Sequence, residues 1–339
     1  MMKRRLPTIR DVAAHAGVSV GTASKALNNQ GRLSPETRAA VVRSAEALRF
    51  APNALIRSLQ RGKTGTVGVL TWSVRTDGHY SIRIPLLEGI SLGLSHTHSD
   101  LLLYSHYEGR DEVHATTMQF LDGRVDGVIL NPYLSFEVLE SLALAGLPTV
   151  ALYRNHVPEK IGFVGIDNRA GIHQAVAYLV SLGHRRIAFY AAKTSFDLLE
   201  RRQGYEEALE HHGLPLDPTL CEAPDHYDSE IPQTAERLLS LAEPPTALIA
   251  ADDHIALTWA AELTARGLKL PEQMSLVGFD DAPGVSAPPG LTTLRQPAVS
   301  VGETAALFVD RLIHGSPAEE CRRILPVELI VRGTTGPPR

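Results

Sequence analysis

The sequence predicts a multidomain protein: an all-α helix-turn-helix head, then an α/β core of two doubly wound parallel-sheet lobes. Three observations carry this. The chain has 339 residues, about twice a typical domain, which favours two or three domains. Residues 1–63 hold 12 Lys and Arg against 3 acidic residues, whereas the rest of the chain is net acidic. Beyond residue 64, short apolar runs alternate with amphipathic stretches, the pattern of buried strands and covering helices.

Composition excludes several classes. With 44% hydrophobic and 21% charged residues the chain is globular rather than disordered or collagen-like. Two cysteines, Cys221 and Cys321, are too few for a disulfide framework. The opening Met-Met-Lys-Arg-Arg is basic, but no apolar stretch follows it, so no signal peptide is expected. No run of 18 or more apolar residues occurs, so no membrane span and no membrane partner are expected either. A cytoplasmic protein is the expectation. The basic N-terminal segment suggests a polyanionic partner, with a basic arm or a solvated helical face as the alternative.

In the first sixty residues, Ile9, Val12, Ala13 and Ala16 recur at helical spacing behind Thr8, an N-cap residue type. Gly17 can stop that helix by adopting positive φ, and Ser19 can cap the next. Ala23, Ala26 and Leu27 give the second helix a narrow apolar stripe. Two short helices around a tight turn form a helix-turn-helix, whose second helix fits a DNA major groove. Ser34-Pro35-Glu36 opens a third helix, and Val41, Val42, Ala45 and Leu48 are expected to close the head's core.

Two motifs in this stretch are chance matches. Gly17-Val18-Ser19-Val20-Gly21 satisfies the Gly-x-Ser-x-Gly hydrolase pattern, but a nucleophile elbow needs a strand before it, and here a helix precedes it. Gly62-Lys63-Thr64 ends like a phosphate-binding loop, yet Arg57 stands where the first glycine belongs.

The run from Thr8 to Asn28, with Ala-x-x-Ala-Gly-Val-Ser-x-x-Thr-x-Ser-Lys-x-Leu-Asn, closely resembles the N-terminal signature of the LacI/GalR family of bacterial transcription regulators. Phe50-Ala-Pro-Asn-Ala-Leu-Ile-Arg-Ser-Leu resembles that family's hinge, and the likeness extends over essentially the whole chain. It implies that Val20, Gly21 and Lys25 read base edges, while Thr8, Ser19, Thr22, Ser24 and Asn28 position the head on phosphates. Lys25 can donate to guanine O6 and N7, and Val20 can contact a thymine methyl. Gly21 stands where the family often carries a larger polar side chain.

Pro52 blocks continuation of the third helix, and Asn53 can cap a short new one through Leu59. In the family that segment is helical only on the operator, where a leucine wedges into the minor groove; Leu59 matches it. The expected division is a head over 1–51, a hinge and linker over 52–64, and an effector-binding and dimerisation core over 65–339. Within the core, an N-lobe is expected over about 65–167 and 296–324, and a C-lobe over about 168–295 and 325–339.

Strand-like runs are expected at 67–70, 101–104, 125–130, 149–152, 163–166, 187–190, 247–250 and 275–279. Helical stretches include 169–182, 198–212 and 253–266, and Gly183-His184-Arg185-Arg186 reads as the loop between one helix and the next strand. The late segments 292–297 and 325–331 are expected to cross back between lobes, as in the periplasmic-binding-protein-like cores this region resembles. Ligands in open α/β sheets bind beyond the carboxyl ends of strands, which singles out Asp252 and Asp280. With Arg201 they match the family's effector-contacting positions, and Asp and Arg suit sugar hydroxyls through charge-assisted hydrogen bonds. Asn is commoner in the family at position 252. Trp72 and Tyr80 can supply an aromatic wall, whereas Asp253 and Asp281 read as helix caps.

Neither His96-x-His98 nor His211-His212 has metal-motif companions, and no Gly-x-Gly-x-x-Gly follows a strand, so no metal, no cofactor and no catalytic residue are expected. The reading is a non-enzymatic, allosteric regulator, a repressor with a sugar or sugar derivative as effector. It forms a homodimer on a near-palindromic double-stranded operator. The absence of terminal leucine heptads favours a dimer over a coiled-coil tetramer. The rivals are an enzyme on a Rossmann-like core with an incidental basic head, and a solute-binding protein; the head and hinge argue against both.

Overall fold

The computed structural model describes residues 7–51, 62–71, 82–105, 113–130, 134–191, 196–222, 224 and 227–339. The chain divides into two compact units, Met1–Thr64 and Gly65–Arg339.

In the first unit, α1 (Ile9–Ala16), α2 (Val20–Leu27) and α3 (Pro35–Ala47) enclose a core of Val12, Ala13, Ala23, Ala26, Val41 and Ala45. Each boundary has a local cause. The Thr8 amide and hydroxyl both donate to the Asp11 carboxylate at 2.7 Å, and Gly17 ends α1 at φ +67°. Ser19 accepts from the Thr22 amide and Ser34 from the Thr37 amide, capping α2 and α3. Side chains tie the helices together: His15 Nδ1 lies 3.0 Å from Ser44 Oγ, and Arg38 donates to the Ala26 carbonyl. One expected core residue is corrected. Val42 is 40% exposed, and the buried stripe of α3 runs through Val41, Ser44 and Ala45 instead. At about 100° per residue, position 42 falls on the flank of that stripe.

The second unit holds two six-stranded sheets. The first has the order β11-β5-β4-β3-β1-β2 and is parallel throughout. Its strands are β1 (Thr66–Thr71), β2 (Asp100–Ser105), β3 (Gly127–Leu130), β4 (Thr149–Leu152), β5 (Gly162–Ile166) and β11 (Arg322–Leu325). The second has the order β12-β10-β9-β8-β6-β7. It consists of β6 (Ile187–Tyr190), β7 (Cys221–Glu222), β8 (Ala247–Ala250), β9 (Ser275–Asp280), β10 (Thr292–Arg295) and β12 (Glu328–Ile330). Its edge strand β12 is antiparallel to β10, the one departure from a parallel sheet. It follows β11 after only two residues, so the chain enters the second sheet in reverse at its edge. β3, β4, β6 and β8 are buried on both faces, which is why they read as continuous apolar runs.

Described helices cover both sheets. They are α4 (Arg83–Thr97), α5 (Val113–Phe120), α6 (Phe136–Ala145) and, late in the chain, α11 (Ala298–Ile313) in the first lobe. In the second they are α7 (Asn168–Ser181), α8 (Phe196–His211), α9 (Tyr227–Leu239) and α10 (Asp253–Ala265). Helix α11 packs on β3, β4, β5 and α4. The α4–α11 approach is close enough that a Cβ at Gly89 would overlap the Val299 carbonyl, and one at Gly302 the Leu86 carbonyl.

The chain passes between sheets after β5, after β10 and after β11. Residues 292–295, expected as part of a crossing, form β10, and only the residues after them cross. The first and third crossings are joined where the Asp167 amide donates to the Leu325 carbonyl at 2.9 Å. His184 is buried, with Nδ1 2.8 Å from Thr246 Oγ1 and Nε2 2.9 Å from the Gly336 carbonyl. It pins the C-terminal stretch to the second sheet.

Candidate nucleic-acid interface and effector cleft

On α2, Val20, Gly21 and Lys25 are exposed, while Ala23 and Ala26 face the core. Positions 20, 21 and 25 share one face by helical spacing. A Cβ at Gly21 would meet nothing nearer than Ser19 Oγ at 3.8 Å. The stem of Lys25 lies along Gly31, whose φ is +71°, and its ammonium ends an exposed side chain. Among the expected phosphate positions, Ser19 and Thr22 pair through their hydroxyls at 2.9 Å, and Asn28 donates to Ser24 at 3.5 Å. The hydroxyl of Thr8 is engaged by Asp11.

In the core, Arg201 from α8 is 2% exposed and reaches the carboxyl ends of the second sheet's strands. Its Nε donates to Asn168 Oδ1 at 2.9 Å, and its Nη1 donates to the Ala251 carbonyl just beyond β8. Nη2 lies 3.6 Å from Asp197 Oδ2, and Nη1 lies 3.9 Å from Asp280 Oδ1 at the end of β9. The guanidinium carbon sits 3.6 Å from the Phe279 ring centroid, a cation–π contact. Asp280 accepts from Gln296 Nε2 and has φ +128°, rare for a non-glycine residue. Burial raises its carboxyl well above the usual range, against the opposing pull of the Arg201 cation.

The first lobe closes on this cluster. Tyr153 follows β4, is buried with φ +53°, and its phenol is pushed up first by burial and then by the charge of Asp280, with Arg201 opposing. Asn155 donates to Glu200 Oε1 at 2.9 Å, and Asn168 donates to Glu200 Oε2 at 2.9 Å.

Of the expected effector residues, the fold therefore brings together Arg201 and Asp280. Asp252 stands just beyond β8, but Oδ1 of its carboxylate caps α10 by accepting from the Ile255 amide at 2.7 Å. Trp72, Tyr80, Asn53 and Leu59 lie outside the described residues. The reading of Asp253 and Asp281 as caps is corrected. Asp253 is fully buried, accepting from the Ala282 amide at 2.8 Å and the Thr293 hydroxyl at 2.5 Å. Burial pushes its carboxyl up to about 7. Asp281 is clamped between Arg295 and Arg332, at 2.7 and 2.6 Å. The reason is backbone position: Asp252 alone has the extended conformation of a cap, which turns Asp253 inward.

Sequence reasoning missed Asp197, Glu200, Asn168, Tyr153 and Gln296. Two carried a usable signal. Gln296 is a polar residue directly after β10, and Asp197 lies one helical turn before Arg201. Among the described residues, no group of three or more His, Cys, Asp or Glu is arranged to hold a metal ion. Among them also, no helix is long and apolar enough to cross a membrane.

A helix-turn-helix head joined to a two-lobed α/β core with polar residues gathered at its strand ends defines a ligand-responsive DNA-binding regulator. Residues 8–53 match the model of bacterial regulatory proteins of the lacI family, and residues 176–335 that of a periplasmic binding protein-like domain. The HTH-type transcriptional regulator CelR of Thermobifida fusca is 37% identical over 98% of this chain and 99% of its own. A CelR–cellobiose complex aligns with a TM-score of 0.72 at 30% identity, over 97% of this chain and 99% of that one. The lac repressor dimer bound to operator and the anti-inducer ONPF aligns with a TM-score of 0.82 at 25% identity, over 98% of this chain and all of that one. The chain belongs to the lacI family of bacterial regulatory proteins: it is a transcriptional regulator, not an enzyme.

Proposed function

We propose that this chain is a cytoplasmic, homodimeric repressor whose operator affinity is set by a sugar or sugar derivative held between the core lobes. Residues 1–51 form the reading head, 52–64 the hinge and linker, and 65–339 the core. In the core, an N-lobe of about 65–167 and 296–324 faces a C-lobe of about 168–295 and 325–339. The observation that carries the reading is the buried Arg201–Asp280 pair at the strand ends, with Asn155 and Tyr153 of the other lobe closing on the same cluster.

The roles follow from chemistry. Arg201, Asp280 and Asp252 hold sugar hydroxyls through charge-assisted hydrogen bonds, with Trp72 and Tyr80 as an aromatic wall. Val20, Gly21 and Lys25 face base edges in the major groove. Thr8, Ser19, Thr22, Ser24 and Asn28 hold phosphates, while Asn53 and Leu59 serve a hinge that enters the minor groove. The cellobiose bound by CelR supports a sugar in this site, and the operator-bound lac repressor dimer supports two heads on a two-fold site. By linkage, effector and operator alter each other's affinity by the same factor.

The test is selection of bound duplexes from random DNA, with and without a panel of sugars. A near-palindrome whose enrichment one sugar weakens or strengthens supports the reading. Binding without sequence preference, following only the salt-dependent phosphate contribution, overturns it.

A further inference from the structure

We propose that Asp126 is the latch by which the core grips the linker, and so a positioning residue for operator binding. The inference rests on the reading of residues 52–64 as hinge and linker, and assigns the point at which the core holds them.

The first argument is the bonding of Gly65, where the core unit begins. β1 lies between β2 and β3 in the first sheet, and its pairing starts with Thr66 opposite Asp100. One residue earlier, Gly65 is still held from both sides. Its carbonyl accepts from the Asp100 amide at 2.8 Å, and its amide donates to Asp126 Oδ2 at 2.7 Å. The first bond is backbone to backbone; the second uses a side chain at the point where the strand has ended. Asp126 is itself fixed, because its amide donates to the Thr66 carbonyl at 2.9 Å and its neighbours Val125 and Gly127 are buried.

The second argument is the matching position in the other lobe. Thr246 directly precedes β8 as Asp126 precedes β3, and β8 pairs with β6 as β3 pairs with β1. The Thr246 amide donates to the Arg186 carbonyl at 2.9 Å, as that of Asp126 does to Thr66. Its side chain also reaches the incoming chain, with Oγ1 2.8 Å from His184 Nδ1. There the incoming chain is the turn after α7, a helix anchored by its own buried face. At Gly65 no residue of the core unit comes before, and the chain arrives from the other compact unit. The same position thus steadies an internal turn in one lobe and the linker's exit in the other.

The third argument is backbone direction. Gly65 has φ +68°, a left-handed conformation that bends the chain away from the line of β1. A Cβ there would meet no atom within 4 Å, so the dihedral, not space, favours glycine. Asp126 therefore holds a turn, and that turn sets the direction in which residue 64 leaves the core. A shift of the lobe passes on through a held residue, whereas a loose one absorbs it by dihedral rotation.

The test uses the full chain. Asp126→Ala, Asp126→Asn and Gly65→Ala are compared by amide hydrogen exchange across residues 62–66 and by titration with the operator duplex obtained by selection. Asp126→Ala should speed exchange there at least about tenfold and weaken operator binding about fivefold to tenfold, because linker order must then be gained on binding. Asp126→Asn removes the same charge but keeps an acceptor oxygen, so both readings should stay within about twofold of the unaltered chain. Gly65→Ala loosens the same clamp through strain at positive φ, and adding it to Asp126→Ala should cost little more than either alone. It also serves if Asp126→Ala fails to fold. Exchange and operator affinity unmoved by Asp126→Ala overturn the inference. So does an Asp126→Asn variant as weak as Asp126→Ala, which would make the effect one of charge, and so do fully additive losses in the double variant. Cellobiose titration separates the readings, since Gly65 and Asp126 stand at the amino ends of the strands, away from the effector candidates. Its affinity should be equal in all variants; if it does not bind the unaltered chain, a cellobiose effector is excluded and the latch is still decided by the other two measurements. If selection enriches no duplex, the operator reading falls and exchange alone decides whether Asp126 holds Gly65.

Discussion

Asn155, just beyond β4 of the first lobe, donates its side-chain amide to Glu200 on α8 of the second lobe at 2.9 Å. The other oxygen of Glu200 accepts from Asn168, whose own carbonyl oxygen accepts from Arg201. A side-chain contact between the lobes and the arginine of the candidate effector site therefore belong to one hydrogen-bonded chain. A change in lobe angle moves both, which is the physical requirement for coupling a ligand to a domain rearrangement.

Glu200→Ala should break this chain without touching the effector candidates themselves. Loss of hydrogen bonds to a charged group costs about 1.5–3 kcal/mol each, part of which is recovered by solvation when the lobes part. We expect effector affinity to fall roughly tenfold and scattering of the free protein to shift toward a more open core. Unchanged affinity, measured by titration calorimetry, would separate the Asn155–Glu200 contact from ligand closure.

Lys25→Ala should relax base preference at one position in each half-site, at a cost of about 1–3 kcal/mol for the preferred base. Competition binding against single-base operator variants measures this. A uniform loss across all variants would make Lys25 a phosphate contact instead.

Gly89→Ala and Gly21→Ala should differ in sign. A methyl at Gly89 overlaps the Val299 carbonyl in the α4–α11 contact, so overpacking should destabilise the core by about 1–3 kcal/mol. A methyl at Gly21 meets only Ser19 Oγ at 3.8 Å, and helix propensity should stabilise the head by up to about 1 kcal/mol. Urea unfolding followed separately for head and core reads both.

Asp253 should make core stability depend on pH. Its carboxyl is raised by burial to about 7, from an ordinary value of 3.8, against the opposing bonds from Thr293 and Ala282. Between those values the folded state binds more protons than the unfolded state, so stability falls as pH rises from about 4 to about 7. The raised carboxyl of Asp280 acts with the same sign. Asp253→Asn should flatten that slope in denaturant titrations at stepped pH; a slope of unchanged steepness would assign it to other groups.

Much of the head was legible because its signals are local. Thr8 with Asp11, Gly17, Ser19 and Ser34-Pro35 act within three or four residues, and the caps stand where those residue types expect them. Val42 was misread because a one-residue difference in helical phase separates core from flank. In the core, β3, β4, β6 and β8 were legible because both faces are buried and the residues are largely apolar. The edge strands β7, β11 and β12 were not, since they are short, carry charged residues and are only partly buried, so neither an apolar run nor a periodicity marks them. Arg201 and Asp280 were found by resemblance and by the strand-end rule. Asp197, Glu200 and Asn168 take part only because α7, α8 and the end of β4 converge, and no spacing along the chain encodes that.

What the sequence by itself determined is most of the buried strands and capped helices, the helix-turn-helix, and the family to which the chain belongs, because caps, turns and burial patterns are written in neighbouring residues. The tertiary structure decided the state of the charges. Asp252 caps a helix while its neighbour Asp253 is buried with a raised carboxyl, and Arg201 is buried between Asn168, the Ala251 carbonyl and the carboxylates of Asp197 and Asp280. The physical reason is that a carboxylate's behaviour depends on desolvation and on partners brought from distant positions. Those are set by how strand ends meet, not by which residues adjoin in the chain.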